Sequence, residues 1–514
     1  MLIFPAFAAL ALLNGAAALP STTGSAAFQS NLAYLSPSTT VSQLQIDTEG
    51  VVARLGKRWA DTYQGNLSFP YGVASGDPYS DSVILWTMPR KVDLEGLYGG
   101  NAWPAVCVLC PRSHLPTPPL LLSLSPHTCR VVSNSETDFS IASSVQHGYA
   151  QSTIDVRFAI KVEATGLAPY TKYYYRFESC EGADLGASPV GIFKTLPAED
   201  DEVTSLRLAF YSCSNLPFGF FNAYGAAANH SDTLDYVQHV GDYIYEYKNG
   251  DYGDGTAIGR VPQPDRELSS LQDYRDRYAQ YRTDPDLQEL HRVLAWQTVW
   301  DDHEVADNAW AHGSADSNDT LYGQVGDYQF SARKANAVRA YFEWMPIRQV
   351  DTDDKLVLPS SQNLYKENVS LLLPVAAHLE ELQARKTRGY VRYHLRVPMD
   401  MVIIHATKSS RPVLIFRLAG PKFTDATYVG LATKLVEASP VLQYAEGQLR
   451  GYVELTITPH NVTADYFGFY DQLTRNSNVT HMGSFTTTKG TNKLDRPLNG
   501  GKKVAFGALG PSAA

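Results

Sequence analysis

The fold is decided by LRLAFYSCSN at residues 206–215 and by two later stretches of the same design, VQHVGDYIYEY at 237–247 and WQTVWDDHE at 296–304. In each stretch an apolar run predicts a buried strand, and polar side chains that can bind metal follow where the strand ends. Strand ends are where α/β sheets place their chemistry. The sequence therefore predicts three strand ends that meet at one metal site.

The motifs SCS, GDYIYE and WDDHEVADN, in this order and spacing, resemble those of the PhoD-type alkaline phosphatases, a branch of the metallophosphoesterases. Because several motifs agree in order, the resemblance is more specific than any one of them alone. It covers roughly 65–365, with a gap near 104–145, and again roughly 440–470. Three further stretches carry it: FPYGVASGDP at 69–78, YFEWMP at 341–346 and GQLRGY at 447–452.

The N-terminal part of the chain is rich in strand patterns, within a fold that we predict to be α+β or α/β. Residues 82–87, 154–164 and 172–178 are short runs, rich in β-branched, aromatic or alternating apolar residues, that are typical of strands. A turn-like segment at 166–171 separates two of them. These features predict a fibronectin-like β-sandwich domain over 67–200.

The second predicted domain, 201–514, alternates strands with helices. Residues 269–282 have helical spacing, Asp284-Pro285 is a helix start, and 326–345 forms an amphipathic pattern that stops at a proline. Arg333 lies on this last helix, where it could face phosphate, although a solvated arginine is more common. The resemblance implies that this region is a metallophosphoesterase αββα sandwich, incomplete toward its end.

Residues 1–18 have the apolar run and small-residue ending of a secretory signal peptide, without its positive start. The run is too short to span a membrane. Residues 19–66 predict a propeptide or a linker; the pair Lys57-Arg58 is consistent with processing, and a flexible lead-in is equally consistent. Six Asn-x-Ser/Thr sequons favour a secreted glycoprotein. Their asparagines are Asn66, Asn229, Asn318, Asn368, Asn461 and Asn478.

The chain carries 43 basic and 53 acidic residues, a net charge of −10. This balance argues against nucleic acid or an anionic membrane surface as a general partner. An anionic phosphate ester must then be attracted by local cations, which again points to metal.

Five cysteines are an odd number for a secreted chain. Cys107 with Cys180 is our hypothesis for a disulfide, and Cys110 and Cys129 fall in an anomalous segment. A simply buried thiol is the common fate of the remaining cysteine. Cys213, however, follows a predicted strand, and a thiolate can bind iron or zinc. We therefore interpret Cys213 as a metal ligand.

Hydrolysis of a phosphate ester needs an activated water and cations that neutralise the developing charge, and two metals roughly 3.5–4 Å apart supply both. Asp242 is the candidate for the carboxylate that bridges them, because the preceding glycine allows a tight turn after the strand. Tyr245 could bind through its phenolate, which favours a hard ion such as Fe³⁺. The resemblance implies Fe³⁺ together with Ca²⁺, and other divalent metals are an alternative.

Asp302 is the predicted ligand of the second metal. The resemblance carries this role onto Asp302, and onto His303 the catalytic role of donating a proton to the leaving alcohol or stabilising the transition state. Asn308 is a weaker candidate.

The resemblance breaks after Tyr365. The family's Asp-x-Arg, Trp-Asp-Gly-Tyr and Ser-Gly-Asp-x-His elements are absent from 366–440, where His405 is the one substitute ligand we can place, and a stray histidine is the commoner case. Residues 104–130 are also anomalous, with prolines among leucines. Both segments could be gene-model errors, and 104–130 could instead be a surface loop. We expect 104–130 and much of 370–435 to pack poorly.

The favoured hypothesis is a secreted, metal-dependent phosphatase of the alkaline phosphatase D type, acting on phosphomonoesters, phosphodiesters or both. The alternative is a catalytically impaired or inactive phosphate-binding product that lacks part of the metal site. The missing Ser-Gly-Asp-x-His element predicts feeble hydrolysis or none. A carbohydrate-binding sandwich is a third class, supported by the β-rich segment alone.

Overall fold

The computed structural model describes ten segments of the chain: 66–91, 127–133, 146–150, 156–179, 186–310, 313–348, 414–417, 426–438, 442–491 and 493–510. Several predictions lie outside these residues. They concern the signal peptide at 1–18, the propeptide or linker up to residue 65, most of the segment 104–130, the sequon at Asn368, the proposed Cys107–Cys180 disulfide and His405.

Eighteen strands lie in the described part of the chain. They are β1 Leu67–Ser68, β2 Val73–Gly76, β3 Val83–Thr87, β4 Arg90–Lys91, β5 His127–Ser133, β6 Gln146–Ala150, β7 Ile160–Ala164, β8 Lys172–Ser179, β9 Gly191–Lys194, β10 Leu206–Tyr211, β11 Tyr236–His239, β12 Ala295–Thr298, β13 Leu414–Arg417, β14 Leu442–Glu446, β15 Arg450–Ile457, β16 Asn461–Phe469, β17 Val479–Thr488 and β18 Ala508–Leu509.

Nine of these strands form one mixed sheet in the order β17-β16-β15-β10-β11-β12-β2-β3-β7. Its four central strands, β10, β11, β12 and β2, run parallel. The outer strands on both sides are antiparallel. The three predicted strands that carry the motifs are therefore neighbours at the centre of the sheet.

The register places the ends of the three motif strands level with one another. Tyr211 at the end of β10 pairs with His239 of β11, and His239 pairs with Thr298 of β12. The polar motifs that follow therefore lie side by side at the carboxyl ends of these parallel strands.

The N-terminal strands do not confirm a separate fibronectin-like sandwich. Strands β2, β3 and β7 extend the central sheet, whereas β6, β5, β8 and β9 form a second antiparallel sheet in that order. Apolar side chains of the two sheets, such as Leu85 and Tyr175, share one core. Strand β7 begins at Ile160, later than predicted, because Arg157 and Phe158 have φ values of 53° and 65°, which are incompatible with a strand.

Five α-helices lie in the described residues: α1 Asn222–Asn229, α2 Leu271–Tyr281, α3 Pro285–Val293, α4 Phe330–Trp344 and α5 Ala426–Ala438. Ser270 and Asp273 form a capping box at the start of α2. Asp284 caps α3 by accepting from two backbone N–H groups, as its Asp-Pro sequence predicts. Short 3₁₀ turns lie at Leu216–Phe218, Ser231–Thr233, Thr256–Ile258, Leu321–Gly323 and Leu498–Gly501.

The largest core packs α1 to α4 against the parallel strands and is dominated by aromatic side chains, among them Trp86, Trp296 and Trp344. Such side chains bury large apolar areas and stabilise the sheet edge that carries the motifs. No helix in the described ranges combines the length and apolarity needed to cross a membrane.

A third sheet, β13-β14-β18, accompanies α5 near the end of the chain. Ala432 and Val436 of α5 are buried in one cluster with Leu442 and Ala445 of β14. This part of 370–435 therefore packs against β14 through an apolar face of α5, and poor packing over much of 370–435 stays a prediction. The remainder of that segment, outside 414–417 and 426–435, lies outside the described residues.

Candidate metal centre

Two loops that follow neighbouring strands are held together by their backbones. The Cys213 N–H donates to Gly241 O at 3.1 Å, and the Ser214 N–H donates to Asp242 O at 2.8 Å. Cys213 and Asp242 adopt left-handed conformations with φ of 61° and 54°, which non-glycine residues rarely do. Strain of this kind persists where surrounding contacts enforce it, and it clusters at functional sites.

Gly241 permits the close approach of a third loop. Its φ is 109°, and a Cβ atom at this position would lie 2.5 Å from Cβ and N of Asp301. Any larger residue would push the loop after β12 away from the loop after β11. The predicted need for glycine at this turn therefore arises from a positive φ and from this contact.

Asp242 is the centre of the cluster of potential ligands. The Cys213 thiol donates to Oδ2 of Asp242 at 3.2 Å, and the Tyr245 hydroxyl donates to the same oxygen at 3.3 Å. Ligand atoms of Asp242, Asp302 and His303 lie within 4.8 Å of one another. Asp242 thus contacts or neighbours all four other residues that the sequence assigned to the site.

The Glu304 carboxylate fastens the loops of the site together. It accepts from the backbone N–H groups of Asp242 at 3.1 Å and of Asp301 at 2.8 Å, and it also accepts from the Tyr243 N–H. Burial raises the pKa of Glu304 to about 7, although these donors favour the carboxylate. Glu304 is buried, and its carboxylate joins the backbone of the loop after β11 to that of the loop after β12.

His303 is held in one orientation by a carboxylate and two aromatic rings. Its Nδ1 lies 2.8 Å from Oε2 of Glu246, and its ring centroid is 4.2 Å from that of Tyr245 and 5.6 Å from that of Tyr247. Burial lowers the pKa of His303, but the negative charges of Glu246 and Asp242 outweigh burial and raise it well above its usual value. His303 therefore has the character of a proton donor.

The cluster has an excess of negative charge. Burial raises the pKa of Asp242 well above its usual value, and nearby Asp302, Asp301 and Glu304 raise it further, while His303 alone among the contributors opposes them. A thiol, a phenol, carboxylates and an imidazole converge here. Iron binds all four donor types, and calcium binds the carboxylate oxygens. The residues present therefore fit a cation.

Two other candidates occupy more peripheral positions. The backbone N–H of Asn308 donates to Oδ2 of Asp302 at 2.6 Å, so Asn308 orients a predicted ligand through its backbone. Arg333 is neither solvated nor exposed for phosphate binding. It is buried and contacts Glu267 at 2.7 Å and the Tyr274 hydroxyl at 3.2 Å, because α4 packs this face against α2.

Three residues that support the site were not predicted from the sequence. Glu246 and Glu304 belong to the quoted motifs, and acidic residues next to aromatic strand ends were the available signal. The third is His239, the last residue of β11, whose neighbours come from distant parts of the chain. No local pattern distinguishes a buried histidine of this kind from an ordinary core residue.

Comparison with protein families gives two adjoining matches. The model described as PhoD-like phosphatase matches residues 208–367, and the model described as PhoD-like phosphatase, N-terminal domain, matches residues 56–197. Together they cover more than half of the chain. The chain belongs to the PhoD-like phosphatase family.

One relative and one solved structure are similar to this chain. Alkaline phosphatase D from Bacillus subtilis (strain 168) is 36% identical over 283 residues, which is 55% of this chain and 42% of that protein. The aligned part thus spans less than half of the relative. A solved structure titled "Structure of PhoD" superposes with a TM-score of 0.58 at 22% identity, covering 88% of this chain and 95% of that one. This similarity shows a shared fold.

The PhoD-like match contains every predicted ligand and ends at residue 367. That limit is close to Tyr365, where the sequence departs from the family pattern. The three strand-end motifs therefore lie inside the matched region, and the segment that lacks the Ser-Gly-Asp-x-His element lies beyond it.

Proposed function

We propose that this chain is a metal-dependent phosphatase of the alkaline phosphatase D type that hydrolyses phosphomonoesters, phosphodiesters or both. The observation that carries the proposal is the convergence of Cys213, Tyr245, Asp302 and His303 on the buried carboxylate of Asp242. Such a cluster, short of positive charge, favours cations at the place where a phosphate ester would be bound.

Each predicted ligand has a proposed part. Asp242 would bridge two ions, with Cys213 and Tyr245 on one of them and Asp302 on the other. Fe³⁺ and Ca²⁺ are the ions that the family resemblance favours, and other divalent metals are alternatives. When bound, such a pair supplies the nucleophile and the positive charge that phosphate ester hydrolysis requires. Cys213 and Tyr245 donate to Asp242 in this structure and would lose these protons on metal binding, because the thiolate and the phenolate are the forms that bind metal.

His303 is the proposed catalytic residue. Glu246 engages Nδ1, which leaves Nε2 to donate a proton to the oxygen of the departing alcohol. The Tyr245 and Tyr247 rings restrict the imidazole to this orientation and keep water away from its faces. Poor leaving groups should depend on His303 more than good ones do, because they need the proton earlier.

The alternative is a phosphate-binding product with weak or no turnover. It is favoured by the end of the PhoD-like match at residue 367 and by the absence of a Ser-Gly-Asp-x-His element from the sequence. Two metals need further donors on the side opposite Asp242. With one ion fewer, both the nucleophile and half of the charge neutralisation are lost.

Metal reconstitution distinguishes the two functions. Metal-free protein would be loaded with Fe³⁺ and Ca²⁺, separately and together, and tested on p-nitrophenyl phosphate and bis(p-nitrophenyl) phosphate. Two ions per chain and metal-dependent turnover would support the phosphatase; His303→Gln should lower turnover of these esters only modestly, because p-nitrophenolate is a good leaving group. One ion, phosphate binding and no turnover would support the alternative. A variant with the missing family segment restored shows whether that segment supplies the lost activity.

Secretion and the division into domains at 67–200 and 201–514 are further proposals. The sequons at Asn66, Asn229, Asn318 and Asn478 are exposed, and Asn461 is partly exposed, so all five could accept glycans. Expression in a eukaryotic secretory host, followed by mass spectrometry with and without peptide-N-glycosidase, tests this. Retention inside the cell without glycans would contradict secretion.

A further inference from the structure

We propose that His239 is a positioning residue: its buried ring ties the loop that carries Asp242 to the loop that carries Cys213 and so sets the separation of these two metal ligands. The inference rests on the proposed metal-dependent function and deepens it. No resemblance or sequence motif assigned a role to this histidine.

The His239 ring lies between the two loops at the end of β11. Its Nδ1 is 3.4 Å from the backbone N of Gly241. On the other side of the ring, Nε2 lies 3.2 Å from the Ser214 hydroxyl and 3.1 Å from the Tyr224 hydroxyl, and these two hydroxyls also contact each other. Ser214 follows Cys213 directly, and Gly241 precedes Asp242 directly.

These contacts determine the tautomer of the ring. A backbone N–H only donates, so Nδ1 must be the unprotonated nitrogen, and the proton of the neutral ring resides on Nε2. Burial lowers the pKa of His239 to about 3, so the ring is neutral under ordinary assay conditions. The ring therefore accepts from one loop and donates toward the other.

The two loops need such a restraint. Cys213 and Asp242 both have positive φ, a conformation that is unfavourable for residues other than glycine and persists only where the surroundings impose it. The 3.2 Å contact between the Cys213 thiol and the Asp242 carboxylate depends on both conformations. His239 bonds to the residue next to each of them.

His291 provides a matched control, because it is another buried histidine of the same core. Its ring stacks on that of Trp296 with 3.7 Å between the ring centroids. The His239 ring stacks on the same indole with 5.9 Å between centroids. Nε2 of His291 contacts the Tyr243 hydroxyl at 3.0 Å, and its Nδ1 has no hydrogen-bond partner among the described residues. His291 thus packs in the same core as His239 but does not connect the Cys213 loop to the Asp242 loop.

The test compares His239→Leu, His239→Asn and His291→Leu with the wild type. We expect His239→Leu to weaken the binding of Fe³⁺ and Ca²⁺ by about 10–100-fold, as loss of residues behind metal ligands does. His239→Asn, whose amide oxygen can replace Nδ1 as acceptor for Gly241, should recover part of that loss. His291→Leu should lower the melting temperature of the metal-free protein and leave metal affinity within about twofold.

Two affinity results would overturn the inference. One is wild-type metal affinity in folded His239→Leu, and the other is equal loss of affinity in His291→Leu. Nitrogen-15 chemical shifts of the metal-free protein should show the Nε2–H form, and the Nδ1–H form would also count against it. If the wild type binds metal without turnover, the phosphatase proposal fails alone, and the affinity comparison still judges His239. A wild type that binds neither ion overturns both proposals.

Discussion

Two buried clusters of charge in this protein differ in how they are balanced. Around Glu343, the guanidinium groups of Arg275 and Arg339 bind the carboxylate, at 2.6 Å for Arg275 Nε and 2.9 Å for Arg339 Nε. Around Asp242, by contrast, the charged neighbours are three further carboxylates and a single histidine. Burial alone therefore does not identify a functional carboxylate. A buried carboxylate whose neighbours repeat its charge is suited to binding a cation.

The clusters also differ in origin. Glu343 and its arginines lie on α2 and α4, which pack against each other, and their contacts hold the helices together. The proposed ligands at and around Asp242 lie on loops beyond strand ends, and two of these residues have positive φ. Regular elements can satisfy charge by pairing, whereas these loops maintain a strained arrangement that a metal would stabilise.

The largest expected effect is at Asp242. Asp242→Asn should abolish metal-dependent hydrolysis and lower affinity for both ions, because a bridging ligand serves both. The metal-free protein should be at least as stable as the wild type, because a carboxylate surrounded by like charge is removed. Metal titration and denaturant unfolding of the metal-free form check this. Strong destabilisation of the metal-free form would show that Asp242 is structural, as Glu343 is.

The opposite pattern is expected at Glu343. Glu343→Ala should destabilise the fold by about 3–5 kcal/mol, because two buried arginines lose their partner. Metal affinity of the protein that remains folded should match the wild type. Urea unfolding measures the first quantity and calorimetry the second. Reduced affinity at full folding would mean that the two clusters are coupled.

A smaller effect concerns Lys161, which lies near Glu343 and donates to Phe342 O at 2.6 Å. Burial lowers its pKa to about 7, and the negative charges of Asp77 and Glu343 oppose this. Between pH 7 and the unfolded value of 10.5, the unfolded state binds more protons than the native state. The contribution of Lys161 to stability is therefore present above pH 10.5 and is lost as the pH falls to about 7.

The slope should reach at most about 1.4 kcal/mol per pH unit. Unfolding free energies of the wild type and Lys161→Met at several pH values between these limits give the difference. If the unfolding free energies of the two proteins varied with pH in parallel, the pKa of Lys161 would be the same in the folded and unfolded states. The charges of Asp77 and Glu343 would then offset the effect of burial completely.

The smallest effect is expected at the surface. Glu289 and Arg292 form an i,i+3 ion pair on α3 and are both partly exposed. Glu289→Ala should change the unfolding free energy by no more than about 1 kcal/mol, because exposed pairs are screened and cost side-chain entropy. If Glu289→Ala lowered the unfolding free energy as much as Glu343→Ala does, burial could not explain why one ion pair stabilises the fold more than the other.

Several features could be predicted because their signals are local. The Asp284-Pro285 helix start and the end of α4 before Pro346 depend on neighbouring residues only. The start of β7 was predicted too early, because the positive φ values at Arg157 and Phe158 leave no mark on the apolar pattern. Arg333 was misjudged for a related reason: its acidic partner Glu267 is 66 residues away in the sequence.

The sequence by itself determined that three apolar strands end in a thiol, a Gly-Asp turn and an Asp-Asp-His-Glu run, because alternation and residue type are readable along the chain. Only the tertiary structure decided that these ends are level, that Glu246 holds His303 and that Glu304 joins the loops. The last two contacts link residues 57 and 62 positions apart. Packing of the parallel strands brings them together, and no local propensity encodes it.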